Sequence, residues 1–281
     1  MNPLALALRR VRRELRHLRG HFELDGRGNR VARRTDFRRC ERPVLLLYGV
    51  FATRRTLEVL ERRLRRDGYC VFSLDLSQPG RVFDTRGIDA LAAIVHAKVE
   101  RMYARHRGMG PLSVVGHSKG GLVAAWWVKR LGGDRRVRAL VTLGSPHAGT
   151  PSTWLALPMA LLDRSILQMT PRSAFVRRLA EEPWPTGVRV TSIGSRRDRL
   201  TVHPAARLEE RPGVRNVEVE ASHREFLVRK QVYAEVLRAL AWAGAPAPGA
   251  AAGRAARTGE PASGSPASAA REGAAEAARA G

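Results

Sequence analysis

From about residue 41 to 244, short apolar runs alternate with segments whose apolar residues recur every three or four positions. PVLLLYG (Pro43–Gly49) is a continuous apolar run, the pattern of a strand buried on both faces of a sheet. TLEVLERRLRRDGY then puts Leu57, Leu60 and Leu64 on one helical face, closed by Gly68. CVFSLDL reads as a second strand, and GIDALAAIVHAKVERMYARHRG as a helix carrying Ile88, Leu91, Val95, Val99 and Met102. PLSVV and GGLVAAWWVKRLGG are a third strand and helix. VRALVTLG, VRVTSIG and VRNVEVE are three more strands, and a last helix is expected from about Arg224 to Trp242. This alternation predicts an α/β domain with a mostly parallel central sheet flanked by helices.

Three segments depart from that rhythm. Residues 151–186 are apolar, with Trp154, Leu155, Leu157, Met159, Leu161, Leu162, Ile166 and Met169, but lack a strand signature. They are expected to form a short helical cap above the C-terminal edge of the sheet. Within residues 1–40, Leu4, Leu8, Val11, Leu15 and Leu18 share one helical face, and six Arg between Arg9 and Arg19 occupy much of the remainder. This basic amphipathic helix suits either an anionic membrane surface or the body of its own domain. Residues 245–281 are Ala, Gly, Pro, Ser and Arg without periodicity and are expected to be a disordered tail.

Composition changes the picture in one respect. The 281 residues carry 50 basic and 26 acidic side chains, a formal net charge of +24. The basic residues are nearly all Arg and are spread along the chain, so the charge predicts attraction to anionic surfaces and no specific nucleic-acid partner. No apolar run approaches the roughly 20 residues needed to span a bilayer, and no signal segment is evident. The expected compartment is therefore the cytoplasm, with peripheral contact at the inner membrane face. Cys40 and Cys70 read as free thiols. No His/Cys spacing suggests zinc and no acidic loop suggests calcium, so no metal or other cofactor is expected.

Candidate chemistry centres on Gly116-His117-Ser118-Lys119-Gly120, a G-x-S-x-G pattern directly after a strand and directly before a helix. A tight strand-to-helix turn forces the serine into a strained backbone conformation, and the flanking glycines make room for it. The helix N-terminus then faces a developing oxyanion. A serine hydroxyl needs a base. His223, in the loop ASHRE after the last strand, is the leading candidate, with His147 and His203 as alternatives. The base needs a carboxylate to set its tautomer. Asp198, after the strand VRVTSIG, is favoured over Asp134 and Asp163, against the simpler reading of an ion pair with Arg196, Arg197 or Arg199. The backbone N–H groups of Lys119 and Val50 are the expected oxyanion donors. The ring of His117 is expected in the packing beneath the sheet edge.

Together, the turn YGVF, the elbow GHSKGG, the segment VTLGSPHAGT, the loop DRLTVHPAA and the loop ASH resemble the small bacterial lipase/esterase branch of the α/β-hydrolase superfamily, over about residues 41–244. The resemblance implies Ser118 as nucleophile, Asp198 as acid, His223 as base, and Val50 and Lys119 as oxyanion donors. It implies a serine carboxylic-ester hydrolase acting on lipid or other acyl esters. Alternatives are a catalytically silent binding module at an anionic membrane surface, or an acyltransferase, phospholipase or thioesterase using the same triad. Two departures stand out: Tyr48 occupies the place of the usual His before the oxyanion-loop Gly, and Lys119 follows the nucleophile where Met is commoner. The Lys119 cation is expected at the mouth of the site.

Overall fold

The structure is a computed structural model that describes residues 29, 34–38, 40–76, 85–160 and 163–244. The amphipathic helix expected within residues 1–40 and the tail 245–281 lie outside the described residues, as do Leu161 and Leu162 of the cap.

Six strands form one sheet: β1 (Pro43–Leu47), β2 (Cys70–Ser73), β3 (Leu112–His117), β4 (Val137–Leu143), β5 (Arg189–Gly194) and β6 (Val214–Glu218). Their order is β2-β1-β3-β4-β5-β6, and every named pair is parallel. The expected sheet was mostly parallel; this one is parallel throughout its described strands. Every residue of β1 and of β3 is buried, as their apolar runs require of strands covered on both faces.

The helices between strands are α1 (Glu58–Arg66), α2 (Ile88–Arg105) and α3 (Lys119–Arg130). Leu60 and Leu64 of α1, and Ile88, Leu91, Val95 and Val99 of α2, turn into the core. The excursion after β4 becomes short helices: a 3-10 turn at Pro151–Trp154, α4 (Leu157–Ala160), α5 (Arg164–Gln168) and α6 (Ala174–Glu181). The closing helix is shorter than the sequence suggests. A 3-10 turn covers Glu225–Leu227, and α7 begins only at Lys230 and runs to Gly244. Glu225 opens this turn. Its Oε2 accepts the Ser222 N–H at 2.7 Å, and its carbonyl accepts from both Val228 and Arg229, which tightens the turn.

The chain leaves β1 for β2 on one side, then returns to β3 on the other. Connections diverge at the C-terminal ends of β1 and β3, where a parallel sheet opens a crevice. Among the described residues no helix is long and apolar enough to cross a membrane.

Candidate active site

Ser118 stands between β3 and α3 with φ 54 and ψ −124, a conformation that disfavours every residue with a Cβ. The turn is held by its neighbours. Ser118 N–H donates to the Leu143 carbonyl on β4 and Gly121 N–H to the Ser118 carbonyl. A Cβ on Gly116 would lie 2.5 Å from Gly121 Cα, and one on Gly120 would lie 2.4 Å from the Leu47 carbonyl oxygen. The two glycines of the motif are therefore required by backbone-to-backbone contact, β3 against α3 and α3 against β1. The Ser118 side chain is half-buried beside the turn after β1: a Cβ on Gly49 would come within 3.0 Å of Ser118 Cβ and 3.4 Å of its Oγ. Val50 follows in that turn, and Phe51 completes it with φ 47. Lys119 is the first residue of α3, so its N–H belongs to the turn that has no intrahelical acceptor.

Asp198 and His223 come together from loops after β5 and β6. His223 Nδ1 donates to Asp198 Oδ2 at 2.8 Å, with both side chains buried. Asp198 Oδ1 accepts the N–H groups of Leu200 (2.8 Å) and Thr201 (3.0 Å). The carboxylate thus faces inward. The alternative of an ion pair with its flanking arginines fails, because Arg196 pairs with Glu218 and Arg197 lies 3.8 Å from Glu220. Gly144, after β4, has φ +53, and a Cβ there would meet Asp198 Oδ2 and Phe226 at 2.9 Å. Its carbonyl accepts the Thr201 hydroxyl at 2.7 Å, which fastens the Asp198 loop to β4. Ser195 Oγ accepts from Arg197 N–H and Ala221 N–H, which ties the Asp198 loop to the His223 loop.

His117 joins this group in a way the sequence does not show. Its ring is buried as expected, but Nε2 donates to the carbonyl oxygen of His223 at 2.9 Å, and the two imidazoles are 4.7 Å apart between centroids. The residue before Ser118 therefore positions the loop of His223, 106 residues away. The one signal in the sequence is a polar ring at the end of an otherwise apolar strand. The alternative bases lie elsewhere. His147 is buried against Thr142 Oγ1 (3.1 Å), and His203 is 3.8 Å from Glu218. Of the alternative acids, Asp134 sits in a 3-10 turn after α3 and Asp163 belongs to the cap.

Lys119 requires a correction. Its side chain is 4% exposed, and Nζ lies 3.4 Å from Oδ2 of Asp163, whose side chain is 0% exposed. Its partner belongs to the cap, so the cation is buried and paired instead of standing at the mouth. Asp163 Oδ1 also accepts Ser165 N–H at 2.9 Å and the Ser165 hydroxyl, which caps α5. Tyr48 has a structural partner as well: its hydroxyl accepts Leu76 N–H at 2.9 Å, joining the turn after β1 to the segment after β2.

The narrow crevice beside Ser118 is lined by Tyr48, Gly49, Phe51, Ala52, Leu76, Leu91, Lys119 and Val123, mostly apolar groups. The segments that form the site also display the exposed large apolar side chains: Trp154, Leu155, Met159 and Leu167 on the cap, Leu200 and Val202 after Asp198, and Val228 after His223. Among the described residues no cluster of three or more His, Cys, Asp or Glu could hold a metal ion.

Residues 42–172 match the family described as alpha/beta hydrolase fold. No curated protein sequence matches the chain. Among solved structures, the mature lipase of Bacillus licheniformis is similar at TM-score 0.59 and 14% identity, over 75% of this chain and 96% of that one. Lipase B of Aspergillus fumigatus is similar at TM-score 0.60 and 18% identity, over 75% of this chain; the match spans 55% of the fungal protein. A bacterial membrane phospholipase A gives TM-score 0.52 and 17% identity, over 73% of this chain and 80% of that one.

Proposed function

We propose that this chain, a member of the α/β-hydrolase superfamily, is a serine carboxylic-ester hydrolase acting through an acyl-enzyme. Asp198 holds His223 with its proton on Nδ1, which leaves Nε2 as the base. As Ser118 Oγ attacks the ester carbonyl, His223 takes its proton, and the backbone N–H groups of Val50 and Lys119 receive the negative oxygen. The imidazolium then gives that proton to the departing alcohol. Water, deprotonated by the same imidazole, attacks the acyl carbon, releases the acid and restores Ser118.

The observation that carries this reading is the buried 2.8 Å bond between Asp198 and His223, with the loop of His223 hydrogen-bonded to the residue preceding a strained serine. The exposed apolar side chains around the site favour esters with an apolar part, lipid esters among them. The likeness to lipases and to a phospholipase A supports the same substrate class.

The test is a chain-length series of p-nitrophenyl esters with labelling by a fluorophosphonate. Ser118 is expected to carry the label, and Ser118→Ala to lower kcat by roughly 10⁴–10⁶-fold. Undiminished turnover in Ser118→Ala refutes the proposal.

A further inference from the structure

A second cavity, of about 350 Å³, shares no lining residue with the crevice beside Ser118. It lies between α6, the far end of α3, the loop after β4 and the connector from β5 to β6. His147, 6% exposed, is in its wall. Thr142 Oγ1 donates to Ser192 Oγ (3.0 Å), and Ser192 Oγ donates to the Ala206 carbonyl (2.6 Å). With its proton committed there, Thr142 accepts from His147 Nε2–H at 3.1 Å. The relay fixes the tautomer and leaves Nδ1 a bare acceptor, which has no hydrogen-bond partner in the structure. Burial, with the nearby charge of Lys129, lowers the His147 pKa to about 3, so the ring stays neutral.

The charge around the cavity is unbalanced. Lys129 donates to the Leu179 carbonyl at 2.8 Å and lies 4.3 Å from the centre of the Trp184 ring, and the Glu182 carboxylate acts on it only through space, without an ion pair. Of the two acids in the lining, Glu209 pairs with Arg211 at 2.9 Å, and Glu182 with Arg130, outside the cavity, at 3.0 Å. Arg172 and Arg177 are exposed at its edge, and neither pairs with a carboxylate among the described residues. Trp184, Val176, Leu179 and Leu208 supply apolar wall. Cations at one side and apolar surface at the other describe a site of ligand-binding size.

We propose that this cavity is a second binding site, separate from the ester-cleaving centre, for a small organic anion with an apolar carbon skeleton. The anionic group meets Lys129, Arg172 and Arg177, and the carbon skeleton lies against Trp184 and Leu208.

The chain has four lysines, Lys98, Lys119, Lys129 and Lys230, which makes pyridoxal 5′-phosphate a discriminating probe. A lysine amine adds to its aldehyde and water leaves; borohydride then delivers hydride to the imine carbon and solvent a proton to nitrogen, fixing the label for mass spectrometry. Burial has brought the Lys129 pKa to about 8, so a good part of it is reactive at pH 8. Lys119 is ion-paired, Lys98 is bonded to the Asp75 carbonyl, and exposed Lys230 serves as control.

Lys129 is expected to reach half-labelling at a concentration about tenfold below Lys230. Inorganic phosphate should protect Lys129 and not Lys230. Arg172→Ala/Arg177→Ala, at two exposed positions, should remove most of that difference. In the same assay benzoate should protect at lower concentration than acetate. Labelling confined to Lys230, or labelling of Lys129 indifferent to phosphate and to the arginine variant, overturns the site; equal protection by benzoate and acetate overturns the apolar contact. Ester turnover plays no part in these readouts, so failure of the ester-hydrolase reading leaves the result intact.

Discussion

The buried pair Lys119–Asp163 offers the sharpest quantitative test, because it joins the residue after Ser118 to the cap. At 4% and 0% side-chain exposure, solvent does little to screen it. Removing one partner strands the other charge in the interior, which costs about 3–5 kcal/mol. Asp163→Asn keeps an acceptor for the Ser165 N–H and so isolates the charge, whereas Asp163→Ala adds the loss of the cap, about 1 kcal/mol. For a domain of this size 1 kcal/mol moves Tm by about 2–4 °C, so Asp163→Asn should melt roughly 6–20 °C below wild type. Lys119→Met should fall in the same range. Replacing both members removes two buried charges at nearly constant volume, and such exchanges are often neutral or stabilising. Lys119→Met/Asp163→Asn is therefore expected within about 1–2 kcal/mol of wild type, a large favourable coupling in a double-mutant cycle. Urea denaturation with a reversibility check, alongside thermal melting, reads all four proteins. Single variants as stable as wild type, or a double variant whose loss equals the sum of the singles, would refute the claim that these two charges are buried against one another.

Three further expectations follow from other contacts. Gly120→Ala puts a Cβ 2.4 Å from the Leu47 carbonyl, so it should destabilise by about 1–3 kcal/mol and also depress turnover; a stable, active variant would contradict the tight packing of α3 on β1. His147 has a folded-state pKa near 3, below its ordinary value near 6.5, so the unfolded chain binds more protons between those limits. Stability should then fall as pH drops from about 6.5 towards 3, with a slope from this residue approaching 1.4 kcal/mol per pH unit, and His147→Asn should flatten the profile. Leu155 is 89% exposed and Trp154 55%. Leu155→Asp is expected to weaken sedimentation with anionic phospholipid vesicles while leaving hydrolysis of p-nitrophenyl acetate unchanged, and unaltered vesicle binding would remove the apolar rim from the proposed substrate encounter.

Much of this protein is written in short stretches of sequence. A strand buried on both faces must be a run of apolar residues, so PVLLLYG and PLSVV name β1 and β3 directly. A serine at φ 54 between strand and helix needs glycine two positions to either side, so the elbow is legible as well. Asp198 and His223 follow by position, because each lies in a loop after a strand of one parallel sheet and such loops emerge at one edge. Side-chain direction is a different matter. That Lys119 pairs with Asp163 and that His117 holds the carbonyl of His223 are decided by groups 44 and 106 residues apart. Periodicity reports which face of an element is apolar, not which partner will be waiting when elements pack. Those pairings exist only once burial has removed water as the competing donor and acceptor, and tertiary packing alone brings that about.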